Sequence, residues 1–204
     1  GMPHTEPLTF LFVRYLAVIA LMWGIAIATK APWPARGRDW WHIGIAGLML
    51  HAGYLGGVFI AISLGLPAGV AALVVCLQPL LTAVCAGWLL GETVRARQWL
   101  GLLLGLAGVS LVVANKMGAV LTWQALLASV FALVAITFGT LYQKRFCPSF
   151  DWRTGVVAQF IPTAVVTGVC AWWFETGRMD FTGEMVFALG WLVLVLSVGA
   201  VSLL

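Results

Sequence analysis

The sequence predicts an all-α integral membrane protein, a polytopic helical bundle with about seven transmembrane helices. Three observations carry that expectation. Hydrophobic residues make up 62% of the 204 residues and charged residues only 9%, with a mean hydropathy of +1.04. A soluble domain carries roughly 45–50% apolar and about 25% charged residues, so too few charges are present to cover a globule's surface. Apolar runs long enough to cross a bilayer recur along the chain, and the basic residues gather in alternate loops. A soluble enzyme, a disordered chain and a nucleic-acid module are excluded. The excess of Lys plus Arg (11) over Asp plus Glu (7) fits the basic loops of a membrane protein instead.

The runs are 8–29, 42–64, 67–90, 98–114, 122–142, 155–174 and 186–204. The first stops at Lys30, ahead of Pro32 and Pro34. The second ends at the Gly65-Leu66-Pro67 turn. The third carries Pro79 at its centre and gives way to the loop from Gly91 to Arg97. The fourth is short, at the low end of the spanning range, and stops at Asn115. The fifth ends in the basic stretch from Lys144 to Arg153. The sixth contains Pro162 and stops at Glu175. The last runs to Leu204 with no charged flank.

Charge fixes the direction. Loops 30–41, 91–97 and 143–154 hold Lys30, Arg36, Arg38, Arg95, Arg97, Lys144, Arg145 and Arg153, whereas 65–66, 115–121 and 175–185 hold only Lys116 and Arg178. The basic set is expected in the cytoplasm, which puts residue 1 outside. No secretory signal is visible, since the first apolar run exceeds a signal h-region and lacks a basic start. An outside start without a signal peptide implies a further helix upstream, and the blunt end at Leu204 implies more sequence downstream. Cys76, Cys85, Cys147 and Cys170 form no CxxC or Cys/His spacing, so neither a disulfide framework nor a zinc site is expected.

From Leu66 the chain reads LPAGVAALVVCLQPLLTAVCAGWLLGETVRARQWLGLLLGLAGVSLVVA. A helix with a central proline ends in Leu-Gly-Glu, and a short basic turn and a Gly-rich helix follow. This block resembles the EamA-type transporters of the drug/metabolite superfamily, in which it closes the first half of the molecule. PLTFLFVRY, with Arg14, looks like the family's second helix. LTWQALLASVFALVAITFGTLYQKRF looks like the helix that opens the second half. The resemblance implies ten helices in two inverted repeats, of which this chain would carry helices two to eight. Residues 1–118 would be the first repeat and 119–204 the start of the second. It also implies a multi-pass protein of the bacterial cytoplasmic membrane that exports metabolites, amino acids or drug-like solutes, with no cofactor. Laying FVRYLAVIAL (12–21) over VAQFIPTAVV (157–166) pairs Arg14 with Gln159, a weak internal match. Inverted repeats around a midplane site are a recurring transporter design.

Six residues are candidates for solute contact. His51 lies near the centre of the second run, where an ionisable side chain is expensive and marks function. Gly44, Gly47, His51, Leu55 and Val58 share one helical stripe, with Tyr54 on its flank. Imidazole titrates near neutral pH, which makes His51 either a solute contact or a proton relay; a neutral histidine bonded to a neighbouring carbonyl is the structural alternative. Gln78 sits at the middle of the third run beside Pro79, which removes a donor and clashes with the Val75 carbonyl. Arg14 lies roughly 9 Å along the first helix, where it either snorkels to the headgroups or presents a cation at a cavity mouth. Gln159, Thr163 and Thr167 repeat around Pro162, and the two hydroxyls are expected to bond their own backbone. Trp23 is the weakest candidate; most other Trp residues lie at span ends as interfacial anchors. Tyr142 reads as interfacial, and Glu92 as a cap near Arg95 and Arg97. Gly53/Gly57 and Gly101/Gly105 suit close packing, within one bundle or across a homodimer.

The expected activity is secondary transport of a small organic solute across the bilayer by alternating access. No GxxxxGK[ST] run offers direct ATP drive, and protons are the candidate coupling ion, with His51 the central titratable side chain. A non-transporting fragment or assembly subunit is the alternative. A membrane-embedded enzyme ranks last, since His4, His42 and His51 do not cluster with carboxylates and no HExxH occurs. The orientation has a direct check. With Gly118→Cys the new thiol should react with an impermeant maleimide on intact cells, and labelling only after lysis would invert the topology.

Overall fold

The computed structural model describes residues 6–90, 122–147, 149–177 and 182–193, with scattered positions between 97 and 111. Among the described residues, five helical spans are long and apolar enough to cross a membrane: Pro7–Ala28, Gly37–Ser63, Ala68–Cys85, Trp123–Phe146 and Trp152–Phe174. They match the first, second, third, fifth and sixth expected runs. The fourth run is described only at scattered positions, each of them helical, and the last run only as far as residue 193.

Helix α1 (Pro7–Ala28) starts with proline in its first turn, where the missing N–H is an orphan anyway. The second span is composite: α2 (Gly37–Gly47), a π-helical turn (Leu48–Gly53) and α3 (Tyr54–Ser63). Gly65, at φ +95°, makes the tight turn into α4 (Ala68–Val75). The chain breaks at Cys76-Leu77 and resumes as α5 (Gln78–Leu90), with Pro79 in its first turn, so the proline separates two helices as its chemistry demands. Helices α6 (Trp123–Phe146), α7 (Trp152–Phe174) and α8 (Gly183–Trp191) follow. By contrast, α7 runs unbroken through Pro162.

Several helices overrun their apolar cores at the basic end. α2 starts at Gly37 rather than 42, α6 continues through Lys144 and Arg145, and α7 begins at Trp152. Long cationic side chains let a helix continue into the headgroup layer without burying charge. Asp151 caps α7, accepting from the Arg153 N–H at 2.9 Å and from its guanidinium at 2.7 and 3.0 Å.

Two clusters form the core. Leu11, Tyr15, Val18 and Met22, one face of α1, pack on Val156, Val157, Phe160 and Ala164 of α7, with Val193 alongside. Ala61, Leu66, Val70, Ala71 and Ala125 join α3, α4 and α6. At the acidic end a reciprocal clasp ties α1 to α7. The Glu175 carboxylate accepts the N–H groups of Leu8 and Thr9 and the Thr9 hydroxyl, each at 2.7 Å. Glu6 in turn accepts from the Thr176 N–H and hydroxyl at 3.1 Å. A carboxylate is thereby placed at the positive end of α1, where orphan N–H groups need partners.

Between the clusters, small residues set the spacing. A Cβ on Gly47 would lie 2.5 Å from the Gln159 carbonyl oxygen and 2.6 Å from its Cα. On Gly57 it would meet Ala128 and Ala132 of α6 at 3.0 Å, and on Gly53 the Ala135 methyl at 2.9 Å. The Gly53/Gly57 pair therefore serves packing inside the bundle. Gly101 and Gly105 meet no neighbour within 4 Å among the described residues. Gly47→Val should lower the melting temperature of the detergent-purified protein, at a cost of about 1–3 kcal/mol from overpacking. Gly24→Ala, in open space, should leave it unchanged or raise it through up to about 1 kcal/mol of helix propensity. Equal melting of the two variants would contradict the close contact.

Candidate functional site

The second span supplies the centre of the site. His51 lies within the π turn, and the stripe that carries it divides there. A Cβ on Gly44 would lie 3.3 Å from the Pro162 ring, and Gly47 faces Gln159. Beyond the turn, Leu55 packs on the α1–α7 core and Val58 on the α3–α4–α6 core. A π turn winds more loosely than an α-helix, which shifts the phase of the stripe, and such turns recur at functional sites.

His51 Nε2 and Gln159 Oε1 are 3.3 Å apart. The amide oxygen accepts only, so the imidazole carries its proton on Nε2 in this pairing. Gln159 then donates from Nε2 to Gln143 Oε1 at 3.2 Å. From the other side Tyr15 donates to the His51 backbone carbonyl at 3.0 Å. Phe160 closes the pocket, its ring centroid 4.2 Å from His51 and 5.2 Å from Tyr15. The result is a polar chain from α1 through the π turn and α7 to α6, with Tyr15 fully buried and Gln159 only 7% exposed. Burying polar groups in such surroundings is costly unless they are paired, and these are.

Of the six sequence candidates, His51, Gln159 and Arg14 come together. Arg14 is 7% exposed and faces into the bundle beside Tyr15 and His51; it does not snorkel. Gln78 reaches the rim: its Nε2 lies 3.3 Å from Thr140 Oγ1, one helical turn from Gln143 on α6. Tyr54 stands one turn past His51, half-buried beside Cys76. Trp23 lies apart. Its ring packs 5.2 Å from Trp33, which stacks 5.9 Å from Trp40, forming an aromatic row towards the basic end. Thr163 donates to the Gln159 carbonyl at 2.7 Å, the backbone bond expected of it.

Tyr15, Gln143 and His42 were not among the candidates. Tyr142, read as interfacial, bonds His42 Nδ1 at 2.7 Å, while Arg38 Nε donates to His42 Nε2 at 3.2 Å. With Nε2 accepting, Nδ1 carries the hydrogen and donates to Tyr142. His42 also stacks on Phe146 at 5.1 Å. Tyr142 adjoins Gln143 in sequence, so the buried chain and this basic-end cluster meet on α6. Nearby, a cavity of about 360 Å³ is lined by residues including Trp33, Asp39, Cys147 and Asp151. Burial pushes the Cys147 thiol up, with Asp39 adding to the effect. The Arg153 side chain holds the Asp151 carboxyl below its usual range. Among the described residues no cluster of His, Cys, Asp or Glu could hold a metal ion.

Comparison with known proteins identifies the family. The chain is 26% identical over 211 residues to the uncharacterized transporter YvbV of Bacillus subtilis (strain 168), covering 98% of this chain and 68% of that protein. It is 28% identical over 157 residues to the uncharacterized inner membrane transporter YedA of Escherichia coli (strain K12), covering 77% and 50%. The uncharacterized transporter sll0355 of Synechocystis is 32% identical over 111 residues, covering 53% and 32%. A crystal structure at 24% identity matches the fold with a TM-score of 0.69 over 90% of this chain and 64% of its own. The chain thus spans from about a third to about two thirds of the length of these relatives. Residues 1–114, more than half of the chain, match the model of the EamA-like transporter family, and the chain belongs to that family as a multi-pass protein of the cell membrane.

Proposed function

We propose that this chain forms the solute-handling bundle of a secondary-active exporter, moving a small organic metabolite, amino acid or drug-like solute by alternating access. The observation that carries the reading is the part-buried chain His51–Gln159–Gln143. It lies where the π-turn span, α6 and α7 converge. An ionisable group and two amides inside a membrane bundle are costly, and such groups mark solute or ion pathways; Arg14 lies beside His51, and the Gln78–Thr140 pair lies one helical turn from Gln143 on α6. The two repeats that would rock against each other divide near residue 118. Protons are the coupling ion in this proposal. His51 sits inside, His42 and Tyr142 sit at the basic end, and α6 carries the polar side chains between them. Neutral imidazole with one N–H can relay a proton by taking one on the other nitrogen. The named relatives, all described as transporters, support the same reading.

The test is efflux of ethidium and of radiolabelled amino acids from cells producing the whole protein. Cells lacking it give the baseline. His51→Ala should abolish the protein-dependent efflux at unchanged membrane level; equal efflux would make His51 a packing residue. Gln78→Leu should raise the solute concentration needed for half-maximal flux by about three- to tenfold, the worth of one hydrogen bond. A fall in membrane level with unaltered concentration dependence would assign Gln78 to packing.

A further inference from the structure

A second space lies on the acidic side of the polar chain. It has a volume of about 560 Å³ and opens between α1, the π turn with α3, α6 and α7. That volume falls within the range of pockets that hold drug-sized molecules. Its wall is apolar, with Phe131, Val166 and Phe174 among the lining residues. Two features mark it as more than loose packing. Gly56 is buried, yet a Cβ built on it would meet nothing within 4 Å. The space therefore exists in part because residue 56 has no side chain, unlike Gly53 and Gly57, whose bareness is used up by α6. Thr167, only 4% exposed, lines the cavity. Unlike Thr163, its hydroxyl has no hydrogen-bond partner among the described residues. Thr167 also continues the face of α7 that carries Gln159 and Thr163, so the cavity adjoins the polar chain.

We infer that this cavity is a binding subsite for the apolar limb of an amphipathic solute, an aromatic ring or branched alkyl group carrying a hydroxyl-sized polar group that bonds Thr167. An apolar body fills the wall left open at Gly56, and one polar group satisfies the hydroxyl left unmatched among the described residues. Solutes that are polar throughout would leave the wall dry. This names the solute class of the transporter proposed above and rests on that reading. Binding and flux are separate measurements, so either can fail alone.

Cys170 lines the same cavity and gives a readout independent of transport. With Cys76, Cys85 and Cys147 replaced by serine in the full protein, the rate of Cys170 alkylation by N-ethylmaleimide reports occupancy. The probes are 2-phenylethanol, ethylbenzene and glycerol. At about ten times its Kd, 2-phenylethanol should slow alkylation about tenfold, as mass action requires, and glycerol should not. Gly56→Leu should slow alkylation without any probe and abolish further protection. Thr167→Val should weaken protection by 2-phenylethanol about two- to tenfold, one hydrogen bond's worth, and leave ethylbenzene unaffected. Three results would overturn the inference: no protection by 2-phenylethanol, equal loss for both ring probes in Thr167→Val, or full protection without probe in lipid nanodiscs, which would assign the cavity to an acyl chain or another protein segment. Loss of efflux with protection intact would instead count against the transporter reading alone.

Discussion

With the Gly47 backbone seated against Gln159, the second span and α7 approach more closely than any side chain at position 47 would allow. The polar chain centred on His51 depends on that approach. It sets His51, one helical turn further on, within 3.3 Å of the Gln159 amide, and it leaves Tyr15 close enough to bond the His51 carbonyl. In hydrocarbon no water replaces a missing partner. A side chain at 47 would therefore push apart helices whose buried polar groups have nowhere else to bond. The contact is steric, and its consequence is electrostatic.

The π turn completes the arrangement. It lets one continuous span serve two neighbours, presenting Gly44 and Gly47 before the turn and His51 within it to α7, and Gly57 and Val58 after it to α6 and α4. The α1–α7 pair is bound along its core and clasped by Glu175 and Glu6 at the acidic end. At the basic end the Thr154 hydroxyl donates to the Pro32 carbonyl at 2.8 Å, holding the loop after α1 to the start of α7. The polar residues thus lie between firmly joined helices.

Much of the fold was legible because bilayer length and hydropathy constrain spans strongly. The runs at 8–29, 42–64, 67–90, 122–142 and 155–174 all carry membrane-length or broken helices. The break at Pro79 followed from proline chemistry. What could not be read were pairings across long sequence separations. Gln159 was visible as a polar residue in an apolar run, and His51 likewise, but 108 residues separate them and no local pattern joins them. Gln143 looked like part of a basic loop because α6 overruns its apolar core. Tyr15 looked like one aromatic among many. The π turn leaves no mark in composition, and Glu175 sat at a span end where a loop residue and a helix cap look alike. Arg14 had two local solutions, and only its burial in the folded bundle shows the inward one.

The central claim is that His51 and Gln159 act as one unit in moving solute. A double-mutant cycle on ethidium and amino-acid efflux tests it directly, comparing His51→Asn, Gln159→Leu and the double variant at matched membrane levels. The account predicts strong non-additivity, with the double variant losing no more flux than the worse single one, because each change already breaks the shared bond. Losses that multiply independently would contradict it, and would make the two residues neighbours without a common role.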